Sequence, residues 1–232
     1  MIFFNGTALE SIAPVMIEDI RVSPIQTAVT ARQLPVLPGS VFVRTKDGTR
    51  TVAITFSVPE DHTGARERML ERITAWALTE TPGRLEIPYH DGEYLECLCT
   101  NFPEPSMRQW WENKLRLVFT TYENPYFTSI DEKSAACGVA FFVGGNAAPI
   151  MRIERTLDAA ASDQAYSDGE NTMTFSSIPA GDLVIDLNHQ TAAVNGQSIM
   201  QNYAFSSSFL LPRCGAQTIS GNGTIKWRER RA

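Results

Sequence analysis

The side chains of this 232-residue chain that could do chemistry are three histidines, four cysteines and a scatter of acidic residues, and their spacing argues against each reaction in turn. A nucleophilic hydrolase needs a serine or cysteine on a sharp turn within reach of a histidine base. His62 stands beside Asp61 at a helix start and His90 in the turn Tyr89-His90-Asp91-Gly92, neither with such a nucleophile nearby; with His189 they complete the set. Cys97 and Cys99 flank Leu98 and so share one strand face, too close in sequence for an easy mutual disulfide and without a histidine at zinc-ligand spacing. With Cys137 and Cys214 they read as reduced, small apolar residues, and cytoplasmic synthesis follows.

Asp182 and Asp186 lie four apart on a strand, and Asp168-Gly169-Glu170-Asn171 is rich in oxygen. A calcium loop calls for more ligands at tighter spacing, so both read as polar surface. Val143-Gly144-Gly145-Asn146 does not open a helix and is a turn, not a phosphate cradle. A sugar site would want an exposed aromatic platform. Trp227 sits in a strand where a core role fits better, and Tyr166 and Tyr203 sit in loops, so a sugar partner stays open and no sugar site is assigned. The expectation is a protein without cofactor, metal or catalytic group, and not an enzyme.

The elements around these residues fall into two sets. Residues 20–50 hold repeated turn signals: Ser23-Pro24, Leu34-Pro35, Leu37-Pro38-Gly39 and Lys46-Asp47-Gly48. Then Val52, Ile54, Phe56 and Val58 alternate with Thr51, Ala53, Thr55 and Ser57, the period of a strand with one buried face. After Pro59-Glu60-Asp61, the residues Ala65, Met69, Leu70, Ile73, Trp76 and Ala77 recur at helical spacing with charges opposite, closed by Pro82-Gly83. Strands are expected over 84–88, 94–100 and 114–122, the first two joined by a tight turn at His90-Asp91-Gly92-Glu93. This is an α+β N-terminal domain, a sheet with one helix laid across it, assigned to residues 1–130.

Composition shifts after about residue 129. Short strand candidates recur at 138–143, 150–155, 172–176, 182–186, 192–195 and 218–227, with no helical period, as in an all-β sandwich. Residues 158–171 are small, polar and acidic and read as an exposed loop; Arg228-Glu229-Arg230-Arg231 reads as a solvated end. Residues 131–232 form the second domain. Net charge is −6, with 12 Lys+Arg against 16 Asp+Glu in residues 1–129 and 8 against 10 thereafter. Neither half therefore has the basic footprint of a nucleic-acid binder. The start Met1-Ile2-Phe3-Phe4-Asn5-Gly6 lacks the basic region of an export signal, and no run approaches the roughly 20 apolar residues of a membrane span, so no membrane insertion is expected.

The order of turn-rich arm, alternating strand, helix to Trp76, hairpin, and Phe119 followed by Asn124-Pro125-Tyr126 resembles the N-terminal domain of siphophage distal tail proteins. Further along, Gly145-Asn146 with Pro149-Ile150-Met151-Arg152-Ile153, then Leu183-Val184-Ile185-Asp186 with Ala193-Val194-Asn195-Gly196, resembles the C-terminal domain of that family. Phe209-Leu210-Leu211-Pro212 and Ile225-Lys226-Trp227-Arg228-Glu229-Arg230 resemble its closing segment. The resemblance implies a virion structural protein at the phage tail tip, made in the host cytoplasm. N-terminal domains would close as a hexameric ring around a channel through which DNA only passes, and C-terminal galectin-like sandwiches would project outward. The partners implied are further copies of the chain, the tail tube protein and a tail-tip or tail-associated protein.

Two segments suit such contacts. Residues 11–37 are long, turn-rich and partly apolar, and Ile17, Ile20 and Val22 are candidate interface residues, with deletion of the arm expected to abolish the ring. Trp110 and Trp111 are adjacent, so in a strand one ring is buried and the other available; with Met107 they are candidate anchors of a subunit contact. The alternative reading is a carbohydrate-binding adhesion module that touches the host envelope. A cell-wall hydrolase is disfavoured by the lack of an acid–base constellation.

Overall fold

Apolar side chains at every second position from residue 52 to 58 can be buried together only along one face of a strand, and the N-terminal half is laid out around that strand. The structure, a computed structural model, describes residues 1–33, 40–58, 63–102 and 114–232. It divides into two compact units, Met1–Phe127 together with Ala232, and Thr128–Arg231.

The first unit contains, in chain order, β1 (Phe3–Phe4), β2 (Thr7–Ala8), α1 (Leu9–Ile12), β3 (Met16–Val22), β4 (Thr27–Gln33), β5 (Ser40–Asp47), β6 (Thr51–Ser57), α2 (Thr63–Ala77), β7 (Gly83–Glu86), β8 (Glu93–Asn101) and β9 (Leu115–Thr120). β6 is flanked by β3 and β9, with Val22 opposite Val52 on one side and Phe119 opposite Val52 on the other. β8 changes partner along its length: Leu95 to Cys97 pair with β7, and Leu98 to Asn101 pair with β9 across a bulge. β7 then pairs with β1, and β1 with β2. All of these pairings are antiparallel.

The expected helix is α2, and its apolar stripe explains why it lies on this sheet. Leu70, Ile73 and Ala77 are buried, and Met69 and Trp76 pack half-buried against the same core as Val52, Ile54, Phe56, Leu117 and Phe119. Trp76 meets Phe4 and Phe119 edge-on at 5.7 and 6.2 Å, and Phe4 and Phe119 lie 5.1 Å apart. The indole Nε1 donates to Thr7 O at 3.0 Å, so its one polar atom is satisfied beside the core. Each fully buried side chain of this size contributes about 1.5–3 kcal/mol. The expected turn between the next two strands also forms: Glu93 N donates to His90 O, and Gly92 takes φ +76°.

The three-residue strand β10 (Phe127–Ser129) spans the division. The second unit follows with β11 (Lys133–Ala136), β12 (Phe141–Val143), β13 (Ala147–Leu157), β14 (Ala161–Ser167), β15 (Thr172–Ile178), β16 (Gly181–Asp186), β17 (Thr191–Val194), β18 (Gln197–Ser198), a 3-10 turn (Met200–Asn202), β19 (Gly215–Gln217) and β20 (Thr224–Arg231). Its sheet runs β18-β17-β16-β13-β20-β11, antiparallel throughout. Met151, Ile153, Leu183, Ile185, Ile225 and Trp227 are buried on one face of that sheet. They share a core with Tyr166, Met173, Phe175 and Ile178 of the β14–β15 hairpin, which forms a second layer. Trp227 is thus a core residue.

Two expectations for this half are corrected. Residues 158–171 are not one exposed loop: β14 occupies Ala161–Ser167, and Tyr166 is 1% exposed. The strand escapes notice because a single large side chain faces inward, among small and polar ones. Gly221, at φ +135°, backs onto the Tyr166 ring where a Cβ has no room. The segment 228–231 is not a solvated end but the continuation of β20, with Glu229 accepting from Lys133 Nζ at 2.6 Å and from Gly144 N at 2.8 Å.

The other face of the β13–β20 pair carries charge. Glu154 binds Lys226 at 2.7 Å and Arg152 at 2.6 Å, and Arg152 also reaches Glu132 at 2.9 Å. Hydrogen bonds from Lys226 and then Arg152 hold the Glu154 carboxyl below the usual carboxylate range. A carboxyl depressed in the folded state adds stability above its unfolded value, near 4.3, and loses it as pH falls through the lower folded value. Glu154→Gln is therefore expected to cost up to about 1 kcal/mol at pH 7, with the deficit shrinking towards pH 3, as measured by urea unfolding at both pH values.

Candidate assembly surface

β3 and β6 are the roots of a longer two-stranded ribbon. Past β3 the chain stays in register with its partner: Ser23 N donates to Thr51 O at 2.9 Å, Thr51 N to Ser23 Oγ at 2.8 Å, and Gln26 N to Thr49 O at 3.0 Å. Gly48 N then donates to Gln26 O at 2.7 Å, and a Cβ at Gly48 would lie 2.5 Å from that same oxygen, so the narrowing needs glycine. Beyond it β4 and β5 pair from Thr27 opposite Asp47 to Gln33 opposite Ser40. Among the described residues these two strands pair only with each other. A lone two-stranded hairpin is marginal in water, so a ribbon of this length calls for support from outside.

The candidate interface residues divide accordingly. Ile17, Ile20 and Val22 lie on β3, half-buried against the first unit's own core. The outer edge of β3 is unpaired among the described residues. It is interrupted by a bulge between Ile17 and Asp19, and Glu18 there pairs with Lys114 at 3.3 Å. A bulge and charges are what keep an exposed edge from pairing indiscriminately. Met107, Trp110 and Trp111 lie outside the described residues. Within the arm expected over 11–37, Met16–Val22 is a strand built into the sheet and Thr27–Gln33 is one leg of the ribbon.

The ribbon base holds an unusual side chain. Arg50 is 5% exposed, and its backbone exchanges hydrogen bonds with Thr121, itself fully buried. The guanidinium lies 5.2 Å from the centroid of the Phe127 ring, while Nε and Nη1 are enclosed without a hydrogen-bond partner. His90 stacks on Phe127 at 3.6 Å with planes 6° apart, and its Nδ1 meets Glu93 Oε2 at 3.2 Å. Tyr126 donates to Asp47 at the foot of β5.

The remaining candidates for chemistry are accounted for structurally. His62 lies outside the described residues. Asp186 Oδ1 accepts from Asn188 N and His189 N, closing the β16–β17 turn, and Asp182 accepts from Thr156. Asp168 accepts from the backbone N–H of Glu170 and Asn171 and pairs with Arg213. Among the described residues no group of three or more His, Cys, Asp or Glu is placed to hold a metal ion. Burial, with Cys99 and Glu96 nearby, pushes the Cys97 thiol far above its ordinary value, and burial pushes Cys99 up to about 11. Both are thiols, not thiolates, at neutral pH. Cys97 is buried as expected, whereas Cys214 is exposed and donates to Ala147 O at 3.1 Å. Of the aromatic residues weighed for sugar, Tyr166 and Trp227 are buried, and Tyr203 stacks on Phe209 at 4.9 Å.

The chain, mostly β with a helix packed on its first sheet and a second unit built of antiparallel strands, shares its fold with a solved phage protein. The SPP1 Dit (gp 19.1) protein, described as a paradigm of the hub adsorption apparatus in phages infecting Gram-positive hosts, matches 99% of this chain over 98% of its own, with a TM-score of 0.74 at 16% identity. Chains of the phage P2 baseplate in its activated conformation match more loosely: TM-score 0.43 for the calcium form over 94% of this chain and 90% of that one, and 0.42 for the strontium form over 93% and 90%, each at 8% identity. No protein-family model and no curated protein sequence matches the chain.

Proposed function

We propose that this protein is the distal tail hub of a long-tailed phage. In this reading six copies close a ring through their N-terminal domains, residues 1–130, around the channel that DNA traverses. Residues 131–232 form an outward galectin-like sandwich. The ring joins the tail tube protein to a tail-tip or tail-associated protein, and the chain resides at the virion tail tip and performs no reaction. The observation that carries this reading is the end-to-end likeness in fold to SPP1 Dit. The ribbon β4–β5 supports it, because a hairpin that pairs with no other strand among the described residues is suited to lie on a neighbour, and head-to-tail contacts of that kind close into a ring when the rotation per copy allows. Ile17, Ile20 and Val22 serve this assembly from within by anchoring the ribbon root, and Met107, Trp110 and Trp111 contribute contacts to the neighbour.

Light scattering behind size-exclusion chromatography is expected to give six times the 25.7 kDa of one chain, and negative-stain images to show rings. Solitary particles at high concentration, together with binding on a glycan array, would instead make the protein an adhesion module.

A further inference from the structure

We propose that Asn222, at the entry to β20, is a modification site at which the asparagine rearranges spontaneously to isoaspartate. The reaction favours asparagine followed by glycine, because the backbone nitrogen of the next residue attacks and glycine sets no Cβ beside it. The chain has three such pairs: Asn5-Gly6, Asn195-Gly196 and Asn222-Gly223. The first two are locked, and in the same way. Asn5 and Gly6 take φ +51° and +77°, and Asn195 and Gly196 +49° and +79°, the left-handed pair of a type I′ hairpin turn. Asn5 Oδ1 accepts from Arg84 N at 2.9 Å while Asn5 N donates to Arg84 O. Asn195 repeats this on the second unit's sheet, with Oδ1 accepting from Asp182 N at 2.9 Å and its N–H donating to Asp182 O.

Asn222 has neither restraint. It is exposed, its side chain makes no hydrogen bond, and the Gly223 N–H meets no acceptor among the described residues, although Gly223 O accepts from Cys137 N at 2.9 Å. Nucleophile and target are therefore both free. The Gly223 nitrogen loses its proton to solvent and attacks Asn222 Cγ. The new C–N bond closes a cyclic imide as the Cγ–Nδ2 bond breaks, and the amide leaves as ammonia. Water then opens the imide at one of its two carbonyls. Opening at the side-chain carbonyl gives aspartate, and opening at the main-chain carbonyl gives isoaspartate, with the chain now running through the side chain. Water is the only co-reactant, and nothing is oxidised or reduced. Isoaspartate adds a carbon to the main chain just before Thr224, which pairs with Glu154 on one side and Ala136 on the other. An extra main-chain atom at that point works against both registers.

Ageing the full chain at mildly alkaline pH, followed by peptide mapping with mass spectrometry, reads the reaction directly. In the folded protein Asn222 is expected to convert at least about tenfold faster than Asn5 or Asn195, which must first open their turns and break their hydrogen bonds. In concentrated urea the three should convert at similar rates, since the fold and not the dipeptide selects among them. An isoaspartate methyltransferase should label the peptide carrying residue 222, and Asn222→Gln should lose that label. Asn222→Asp carries the same new charge on an unaltered main chain, so aged protein should melt below it. Conversion of Asn5 or Asn195 as fast as Asn222 in the folded chain, or an undiminished label in Asn222→Gln, overturns the site. Aged protein that melts like Asn222→Asp overturns the effect on β20.

Discussion

Joining Gln26 directly to Gly48, with residues 27–47 removed, is expected to leave a chain that folds normally and sediments as a monomer. The junction is already closed in the native chain, since Gly48 N donates to Gln26 O, and the bonds Ser23–Thr51 and Gln26–Thr49 lie on the retained side. The excised strands pair with each other and with nothing else among the described residues, so no sheet bond among the retained strands is lost. The full segment 11–37 is a poorer deletion. It would remove β3, and with it the Ile17, Ile20 and Val22 contacts to the core and one of the two flanks of β6. Sedimentation velocity and a thermal melt decide the matter together. A shortened chain that melts like its parent but keeps the assembly's mass would move the subunit contact away from the ribbon.

Phe119→Ala should have the largest effect on stability. Phe119 is fully buried in β9, pairs opposite Val52, and its ring meets both Phe4 and Trp76. It therefore ties the first strand, the helix and the centre of the sheet together. Truncating a buried phenylalanine to alanine costs about 3–5 kcal/mol, which in a unit of this size lowers the melting temperature by on the order of 10–20 °C. Because the two units have separate cores, the loss should fall on the first, and Ile153→Ala should act correspondingly on the second. Differential scanning calorimetry reads both. A uniform shift of a single transition in the two variants would show that the units unfold as one.

Much of this architecture was legible from periodicity. The run Val52, Ile54, Phe56 and Val58 is buried at every position, and the stripe Met69, Leu70, Ile73, Trp76 and Ala77 faces the sheet as its spacing requires. In the ribbon, strand-forming residues such as Val29, Thr30, Val41 and Val43 stand on either side of Leu34-Pro35 and Leu37-Pro38-Gly39, and the turn signals dominate the reading. β14 was hidden for a different reason: it has one inward anchor, Tyr166, and Asp163 interrupts it at φ +51°. The cluster of Arg50, Phe127 and His90 could not be foreseen, because its charge, its aromatic ring and its histidine come from positions 50, 127 and 90, which only the closed sheet brings together. A charged residue flanked by Gly48 and a β-strand reads as surface until its neighbours are known.

The placement of β20 has a consequence for biosynthesis. It lies between β13 and β11 at the middle of its sheet, yet it follows every other strand of that unit in chain order. The meander of β16 and β17 can form as soon as it leaves the ribosome, but β13 must wait with one edge open until the chain has grown by some seventy residues, a loop whose closure is slow. Nascent chains halted before residue 224 would present the apolar edge of β13 to chaperones and proteases, making the last strand the step at which the unit becomes resistant to both.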